Sequence, residues 1–362
     1  MNVGIITFHA VPNYGAVLQL YALIHVLKNL GHTARVIHYC PTDELSGKIR
    51  YRSGFFGIHP ADLLLRYRKR KFIKFSQKFI PQTETSYTTL DQLNNIDEFE
   101  AFICGSDQIW NPDLTGGSLD PAFFLSFADR QLPRIAYAAS SGGYEFIETD
   151  AERDLLEHLS SISVREQTLL RSVKGITNTE ATCVLDPTLL TVDYTELISD
   201  KRVKRGDYIL LYALQASEHI YTCVKRLSRI TGLPIVSIGC KVNFVKHPGQ
   251  QVCASPEEFL NLFAHARYVV TNSFHGTVFS IIFRKIFISC ALTGHIEKRN
   301  IRMINLLESL GLSDNFFEVG KKLNENTLYE LKNMDRRESG VLLEKMRDVS
   351  HEFLRHALGK KV

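Results

Sequence analysis

The sequence lacks the features that mark membrane proteins, secreted proteins, NAD-dependent enzymes and NTPases. No apolar run approaches the ~18 uninterrupted residues of a membrane span, and the region 278–292 is broken by Arg284 and Lys285. Residues 1–6 read as a buried strand and not as a signal peptide, which favours a cytoplasmic protein. The G-x-G-x-x-G fingerprint and the P-loop are also absent, which argues against NAD-dependent enzymes and NTPases.

Metal-binding and disulfide signatures are missing as well. The seven cysteines form no C-x-x-C pair and mostly lie in apolar segments, so they are predicted to be reduced core residues. The histidines are scattered, with no H-x-x-x-H pair and no His/Asp cluster of ligand spacing. The sequence therefore predicts neither a zinc nor a magnesium site.

The composition is that of a soluble globular protein, with 44% hydrophobic and 23% charged residues. A length of 362 residues is enough for two domains, each with its own core. The formal net charge of +4 is too small to indicate nucleic acid as a partner.

Positive charge is concentrated in one segment, 48–78, where ten lysines and arginines face Asp62 alone. One interpretation is the solvated face of a surface helix. The other is a patch for anionic lipid headgroups or an anionic acceptor, with Arg68, Lys69, Arg70 and Lys71 at its centre. The second would bring the protein to the inner face of the membrane.

Two α/β halves follow one another along the chain. The first domain, 1–190, has strands at 4–8, 34–39, 101–104 and 134–138, a helix at 17–30, and a basic, mostly helical insertion at 44–85. The second, 191–336, opens with a strand at 208–212 and contains a helix with the start signal Ser255-Pro256. A last helix, 337–362, is expected to cross back onto the first domain. The fold class is α/β, with polar turns meeting at one edge of each sheet.

The most informative turn is 271–277, which lies between an apolar run at 268–270 and an apolar segment at 278–283. This order puts His275 at a strand's carboxyl end beside a helix N-terminus, where backbone N–H groups and the helix dipole favour an anion. A structural cap or core histidine is the alternative.

Three further polar turns also follow predicted strands. The turn 104–111 presents Asp107, the turn 138–143 has small residues that permit close approach of a ligand, and Arg165 follows the strand at 162–164. Arg165 can hold two oxygens of a carboxylate or phosphate. Each turn also has a structural alternative. Asp107 would cap a helix, the small residues of 138–143 would allow a close crossing at the sheet, and Arg165 would form a salt bridge to Glu166 or Asp186.

These turns, taken in order, resemble the polysaccharide pyruvyl transferase family. The matching segments cover most of the chain between residues 1 and 310: Asn13-Tyr14-Gly15-Ala16-Val17-Leu18-Gln19, Gly105-Ser106-Asp107-Gln108-Ile109-Trp110-Asn111, Ala136-Tyr137-Ala138-Ala139-Ser140, Ser163-Val164-Arg165-Glu166, Asp186-Pro187-Thr188-Leu189-Leu190 and Ser273-Phe274-His275-Gly276-Thr277.

The resemblance implies two Rossmann-like domains facing a cleft, as in B-type glycosyltransferases. It also implies transfer of the enolpyruvyl carbons of phosphoenolpyruvate to two hydroxyls of a sugar, in surface-polysaccharide biosynthesis, with a lipid- or nucleotide-linked acceptor and no cofactor. His275 would be the general acid, Arg165 would hold the donor, and Asp107 would be a candidate base. The residues expected to bind substrate are Asn13, Tyr14, Gly15, Gly105, Ser106, Ser140, Asn272, Ser273, Gly276, Thr277, Lys298 and Arg299, with the backbone N–H groups of Gly276 and Thr277 on the donor phosphate.

The chain departs from the family pattern at two positions. Ser273 replaces an arginine common two residues before the histidine, and Ala16 replaces an aspartate common in the first loop. Arg165, Lys298, Arg299 or Arg302 would supply the missing cation, and Asp107 or Glu166 the missing base. The competing functions are a B-type glycosyltransferase that uses a nucleotide sugar and a glycan-binding protein without catalysis.

Overall fold

The computed structural model describes residues 1–41, 60–190, 193–198, 207–239 and 247–359. The described residues form two compact units. Unit 1 holds 1–41, 76–190 and 343–359, and unit 2 holds 60–75, 193–198, 207–239 and 247–342.

Thirteen strands lie in the described residues: β1 Asn2–Ile6, β2 Thr33–Tyr39, β3 Gln82–Tyr87, β4 Ala101–Cys104, β5 Arg134–Ala139, β6 Ser161–Val164, β7 Ala181–Cys183, β8 Ile209–Tyr212, β9 Ile235–Ile238, β10 Gln250–Val252, β11 Tyr268–Thr271, β12 Ile286–Cys290 and β13 Phe316–Phe317.

Eleven α-helices lie in the same part of the chain: α1 Tyr14–Asn29, α2 Pro60–Phe79, α3 Leu90–Leu93, α4 Asp150–Glu157, α5 Gln167–Ile176, α6 Glu218–Thr231, α7 Pro256–His265, α8 Phe274–Ile282, α9 Asn300–Ser309, α10 Glu325–Asn333 and α11 Arg337–Ala357.

Each unit is built on one parallel sheet. Unit 1 has the strand order β3-β2-β1-β4-β5-β6-β7, and unit 2 has the order β10-β9-β8-β11-β12-β13. In unit 2 the central register pairs Tyr268 with Ile209 on one side and with Ile286 on the other. Both orders reverse direction beside the first strand of their unit, which is the arrangement of a Rossmann-like fold. The expected α/β fold class is confirmed.

The central strands are apolar because helices cover both faces of a parallel sheet. All four residues of β4 (Ala-Phe-Ile-Cys), β8 (Ile-Leu-Leu-Tyr) and β11 (Tyr-Val-Val-Thr) are buried. No polar side chain can therefore be accommodated within these strands without a partner. Chemistry is left to the residues that follow their carboxyl ends.

The segment 44–85 differs from its prediction. Its residues 44–59 lie outside the described part of the chain, α2 is helical as expected, and β3 is a strand that pairs with β2. The strand was missed because its sequence, Gln-Thr-Glu-Thr-Ser-Tyr, is polar and buries only Thr83. Residues 60–75 belong to unit 2 and not to the first domain, since Lys71 bonds Glu258 and the Cys253 carbonyl, both at 2.7 Å.

Most of α11, from Leu343 onward, belongs to unit 1. Leu354 is fully buried, the Leu185 backbone N–H donates to Ser350 Oγ at 3.0 Å, and Arg347 Nε donates to the Leu189 carbonyl at 2.7 Å. The chain therefore returns to its first unit before it ends.

Two observations concern the chain as a whole. Within the described residues, no helix is both long enough and apolar enough to cross a bilayer.

Cys253 is disulfide-bonded, so the expectation that all seven cysteines are reduced is wrong, whereas Cys40, Cys104, Cys183, Cys223 and Cys290 are free thiols.

Candidate functional site

In unit 2 the candidate site is the N-terminus of α8, directly after β11. Ser273 is the N-cap: its Oγ accepts from the Gly276 N–H at 3.4 Å and its carbonyl accepts from the Thr277 N–H at 2.9 Å. Both N–H groups are hydrogen-bonded within the helix cap, and their expected contact with the donor phosphate stays a prediction. The departure at Ser273 has a structural reason, since a serine caps this helix.

Gly276 has a steric role in this turn. A Cβ at this position would lie 2.2 Å from Thr271 Oγ1 and 3.0 Å from Tyr212 Cδ1. Thr277 is equally committed, since its Oγ1 lies 2.6 Å from Ser289 Oγ on the next strand. Both residues pack the first turn of α8 against the sheet.

Asn272 fastens this turn to the neighbouring strand end. Its Oδ1 accepts from the Leu214 N–H at 2.7 Å, and its Nδ2 donates to the Gln215 carbonyl at 2.7 Å. The side chain is fully buried and bonded at both ends, so it positions the turn.

His275 lies in the first turn of α8, where the positive end of the helix dipole favours an anion. Its ring is 5.2 Å from the ring of Phe274, at 87°. The guanidinium of Arg302 lies 5.7 Å from the Phe274 ring centre, and Arg302 is only 5% exposed. A histidine, a helix N-terminus and a buried cation thus share one locality.

The cations Lys298 and Arg299 end a 3₁₀ helix, Gly294–Arg299, that leads into α9. Lys298 is exposed and Arg299 is partly buried. The following Asn300 holds this loop through hydrogen bonds to both the N–H and the carbonyl of Leu292, at 2.8 and 2.9 Å. Among the four cations considered for the missing arginine, Arg302 is the one stacked beside the histidine helix.

In unit 1 the candidate residues surround Arg165, which follows β6. Its Nη1 lies 2.6 Å from Asp186, its Nε 3.2 Å from Glu166 and its Nη2 4.0 Å from Asp107. Burial opposes the charged guanidinium, but attraction to these three carboxylates outweighs it and raises the pKa of Arg165. The salt-bridge alternative is therefore the observed one, and the expected contact of Arg165 with a donor anion is not supported.

Gly105 and Ser106 build the loop that carries Asp107. A Cβ on Gly105, whose φ is +111°, would lie 2.2 Å from the Tyr137 carbonyl oxygen. Ser106 Oγ donates to the Ala138 carbonyl at 2.9 Å and to Asp186 at 3.2 Å. Both residues fix the loop from inside, and Asp107 is buried as well, at 7% exposure.

Ser140 links the third turn to the same cluster. Its Oγ donates to Glu166 Oε1 at 2.8 Å. The other oxygen, Glu166 Oε2, is buried and makes no hydrogen bond to any residue that the structure describes. Three carboxylates around one guanidinium leave this cluster, formed by Asp107, Arg165, Glu166 and Asp186, with an excess of negative charge.

The first loop ends at the N-cap of α1. Asn13 Oδ1 accepts from the Gly15 N–H at 2.9 Å, and Tyr14 and Gly15 are buried in the first turn. Asn13 itself is exposed. The departure at Ala16 is a fully buried position in this helix.

The structure also brings together a group that the sequence analysis did not find. His9, His38 and Cys40 have ligating atoms that all lie within 4.8 Å of one another. Burial lowers the pKa of His9 to about 4, so its imidazole is neutral at pH 7. His9 follows β1, His38 lies near the end of β2 and Cys40 follows β2, and no spacing rule along the chain groups His9 with the other two.

The candidate residues therefore fall into two sets, one in each unit. Unit 1 holds the Arg165 cluster and the Asn13 loop, and unit 2 holds His275, Arg302, Lys298 and Arg299.

Solved structures of similar fold also contain two Rossmann-like units, the architecture of B-type glycosyltransferases. The structure is similar to MnaA of S. aureus solved with UDP (TM-score 0.54, 13% identity, 98% of this chain and 95% of that one). It is also similar to a putative UDP-N-acetylglucosamine 2-epimerase from Listeria monocytogenes (TM-score 0.51, 10% identity, 98% and 90%). No curated protein matches the sequence.

The family follows from the sequence itself. The family model for polysaccharide pyruvyl transferase matches residues 13–293, which is most of the chain. The chain belongs to the polysaccharide pyruvyl transferase family, and the resemblance drawn from its motifs is confirmed. Its members are transferases of polysaccharide biosynthesis.

The Arg165 cluster makes a prediction about stability. Arg165→Met should lower the free energy of unfolding by about 3–5 kcal/mol, because three buried carboxylates lose their cation. Arg171→Met, an exposed position on α5 of the same unit, is the matched control and should have little effect. Urea denaturation followed by circular dichroism measures both, and equal, small changes would contradict the structural role of Arg165.

Proposed function

We propose that the protein transfers the enolpyruvyl carbons of phosphoenolpyruvate to two hydroxyls of one sugar of a surface polysaccharide, forming a cyclic pyruvate ketal. The observation that carries the proposal is the placement of His275 in the first turn of α8, next to Phe274, whose ring lies 5.7 Å from the Arg302 guanidinium, in a chain that its family model matches over residues 13–293. The ketal and the donor go beyond what family membership states.

Unit 2 suits the donor. Phosphoenolpyruvate carries a phosphate and a carboxylate, and both are favoured by a helix N-terminus and a buried guanidinium. Arg302 takes the place that the sequence analysis left to one of four cations. The Arg165 cluster suits the donor less, because its excess of carboxylates repels anions.

Unit 1 suits the acceptor. Carboxylates accept hydrogen bonds from sugar hydroxyls and can take up their protons. Glu166 Oε2 and Asp107 are the candidate acceptors, since the first has no hydrogen-bond partner among the described residues and the second is the carboxylate held most loosely by Arg165, at 4.0 Å. This division assigns Arg165 to the acceptor side as a positioning residue.

The proposed reaction balances without a further reagent. His275 delivers a proton to the methylene carbon, which produces an oxocarbenium-like centre that one sugar hydroxyl attacks. The C–O bond to phosphate breaks, inorganic phosphate leaves, and a second hydroxyl closes the ring. One hydroxyl proton restores the proton that His275 gave up, and the other protonates the leaving phosphate to hydrogen phosphate, so no net water is consumed.

Replacing the histidine tests this role. His275→Ala should lower kcat by ~10²–10⁴, the usual contribution of a positioned general acid. The melting temperature should stay near that of the unaltered protein. The measurement is phosphate release and mass spectrometry of acceptor glycans incubated with phosphoenolpyruvate.

His356→Ala, an exposed histidine on α11, is the control and should retain full activity. A large fall in melting temperature for His275→Ala would identify a core histidine instead of an acid. Stabilisation by a nucleotide sugar and not by phosphoenolpyruvate would favour the glycosyltransferase alternative, and stabilisation by neither would favour a glycan-binding protein.

We also propose that the exposed face of α2 contacts an anionic membrane surface, where a lipid-linked acceptor would be found. The described part of this face combines three exposed apolar side chains, Leu63, Tyr67 and Ile73, with the exposed cations Arg70 and Lys74. Apolar and basic residues on one helix face are typical of interfacial binding. Lys71 is not part of this face, because it is paired with Glu258.

Charge reversal tests the surface. Arg70→Glu with Lys74→Glu should weaken binding to phosphatidylserine vesicles by at least about 30-fold at low salt, since each cation near such a surface contributes ~1 kcal/mol and each glutamate is repelled by it. Vesicle sedimentation measures the affinity, and the difference should shrink as salt rises.

Lys225→Glu with Arg226→Glu on α6 is the matched control, with the same change of charge at exposed positions. If both pairs weaken binding equally, attraction depends on net charge alone, and the proposed face is wrong. The affinity for phosphoenolpyruvate should be the same in all variants.

A further inference from the structure

The cluster formed by His9, His38 and Cys40 has the geometry of a metal site at the carboxyl ends of β1 and β2 in unit 1. His9 follows β1, His38 is near the end of β2, and Cys40 follows it. His9 Nε2 and His38 Nδ1 are 3.2 Å apart, and the cysteine sulfur lies within 4.8 Å of both. β1 and β2 are adjacent parallel strands, so their carboxyl ends bring these side chains together.

We propose that these three side chains bind a zinc ion. Zinc is held at ~2.0–2.1 Å by imidazole nitrogen and at ~2.3 Å by thiolate sulfur, usually in a tetrahedron. Two nitrogens at that distance from a tetrahedral ion lie ~3.3–3.4 Å apart, close to the separation of the two rings. Nitrogen and sulfur donors together favour zinc over magnesium or calcium, which prefer oxygen.

The ring of His9 is already oriented as a ligand. Its Nδ1 lies 3.0 Å from the Thr7 carbonyl oxygen, so this nitrogen carries the proton and Nε2 directs its lone pair toward His38. Metal-binding histidines are commonly fixed by such a hydrogen bond from the other ring nitrogen. The backbone of His38 is also fixed, because its N–H donates to Thr83 Oγ1 at 3.0 Å.

Without a metal the same atoms compete for one proton. His38 Nδ1 lies within hydrogen-bond distance of two acceptors, His9 Nε2 at 3.2 Å and Gln82 Oε1 at 2.9 Å, and has at most one N–H to give. A metal ion would take both nitrogen lone pairs, leaving the His38 proton on Nε2, and would displace the thiol proton of Cys40 to solvent.

Three protein ligands leave the fourth position of a tetrahedron open to water or another small ligand. The cluster lies outside the carboxyl ends of its strands, where open α/β sheets bind ligands, and His9 opens the loop that leads to Asn13. The zinc proposal does not depend on the proposed function. It replaces the expectation from the sequence that the chain has no metal site.

The test uses the full chain after treatment with a chelator, titrated with zinc and, separately, with cobalt(II) as a spectroscopic probe. About one ion should bind per chain. The cobalt form should show a sulfur-to-metal charge-transfer band and the intense visible bands of a tetrahedral site. Zinc should also raise the melting temperature.

Cys40→Ser should remove the charge-transfer band. Cys40→Ser and His9→Gln, each as a single variant, should weaken zinc binding by more than ~10²-fold. Cys183→Ser and His356→Gln change the same residue types in unit 1 outside the cluster and should bind zinc like the unaltered chain. Circular dichroism establishes that each variant is folded.

Two results would overturn the proposal. One is an unaltered chain that binds no zinc at micromolar concentrations and shows only octahedral cobalt. The other is a folded Cys40→Ser or His9→Gln variant that keeps the zinc affinity and the cobalt spectrum. Either result would show that the three side chains form a hydrogen-bonded group that does not bind zinc.

Discussion

A single buried guanidinium, that of Arg165, holds together the carboxyl ends of three strands in unit 1. Asp107 follows β4, Arg165 and Glu166 follow β6, and Asp186 follows β7. Buried carboxylates are tolerated only when paired, so this cation permits polar groups to converge at an edge that is otherwise apolar. The same pairing commits Arg165, and the binding of an anionic donor is therefore left to other residues.

In unit 2 the polar groups at the carboxyl ends of the strands are positioned by the N-terminus of a helix and not by a salt bridge. Ser273 caps α8, Gly276 lets the helix approach Thr271, and Asn272 ties the turn to the end of β8. These three residues use their polar atoms or their small size to position His275. The result is an electropositive helix end beside Arg302, which differs in charge from the cluster in unit 1.

The sequence predicted the elements with strong hydrophobic patterns. The strands β1, β4, β8 and β11 are largely apolar runs, and the turns after β4 and β11 identified Asp107 and His275 as candidates. The turn after β6 identified Arg165. It could not assign their partners. Whether Arg165 binds a ligand or Asp186 depends on how β6 and β7 pair, and β3 was missed because an edge strand of polar residues has no apolar face to detect. The His9 cluster is a product of strand pairing in the same way, since its members are close in space and separated along the chain.

The central claim is that a proton is delivered to the methylene carbon of phosphoenolpyruvate before a sugar hydroxyl attacks. Running the reaction in D₂O and analysing the glycan product by mass spectrometry tests this step directly. The expected product is a pyruvate ketal whose methyl group carries one deuterium, formed together with inorganic phosphate. A product that keeps the enol double bond, or a glycan that gains no pyruvyl group while phosphate is released, would contradict it.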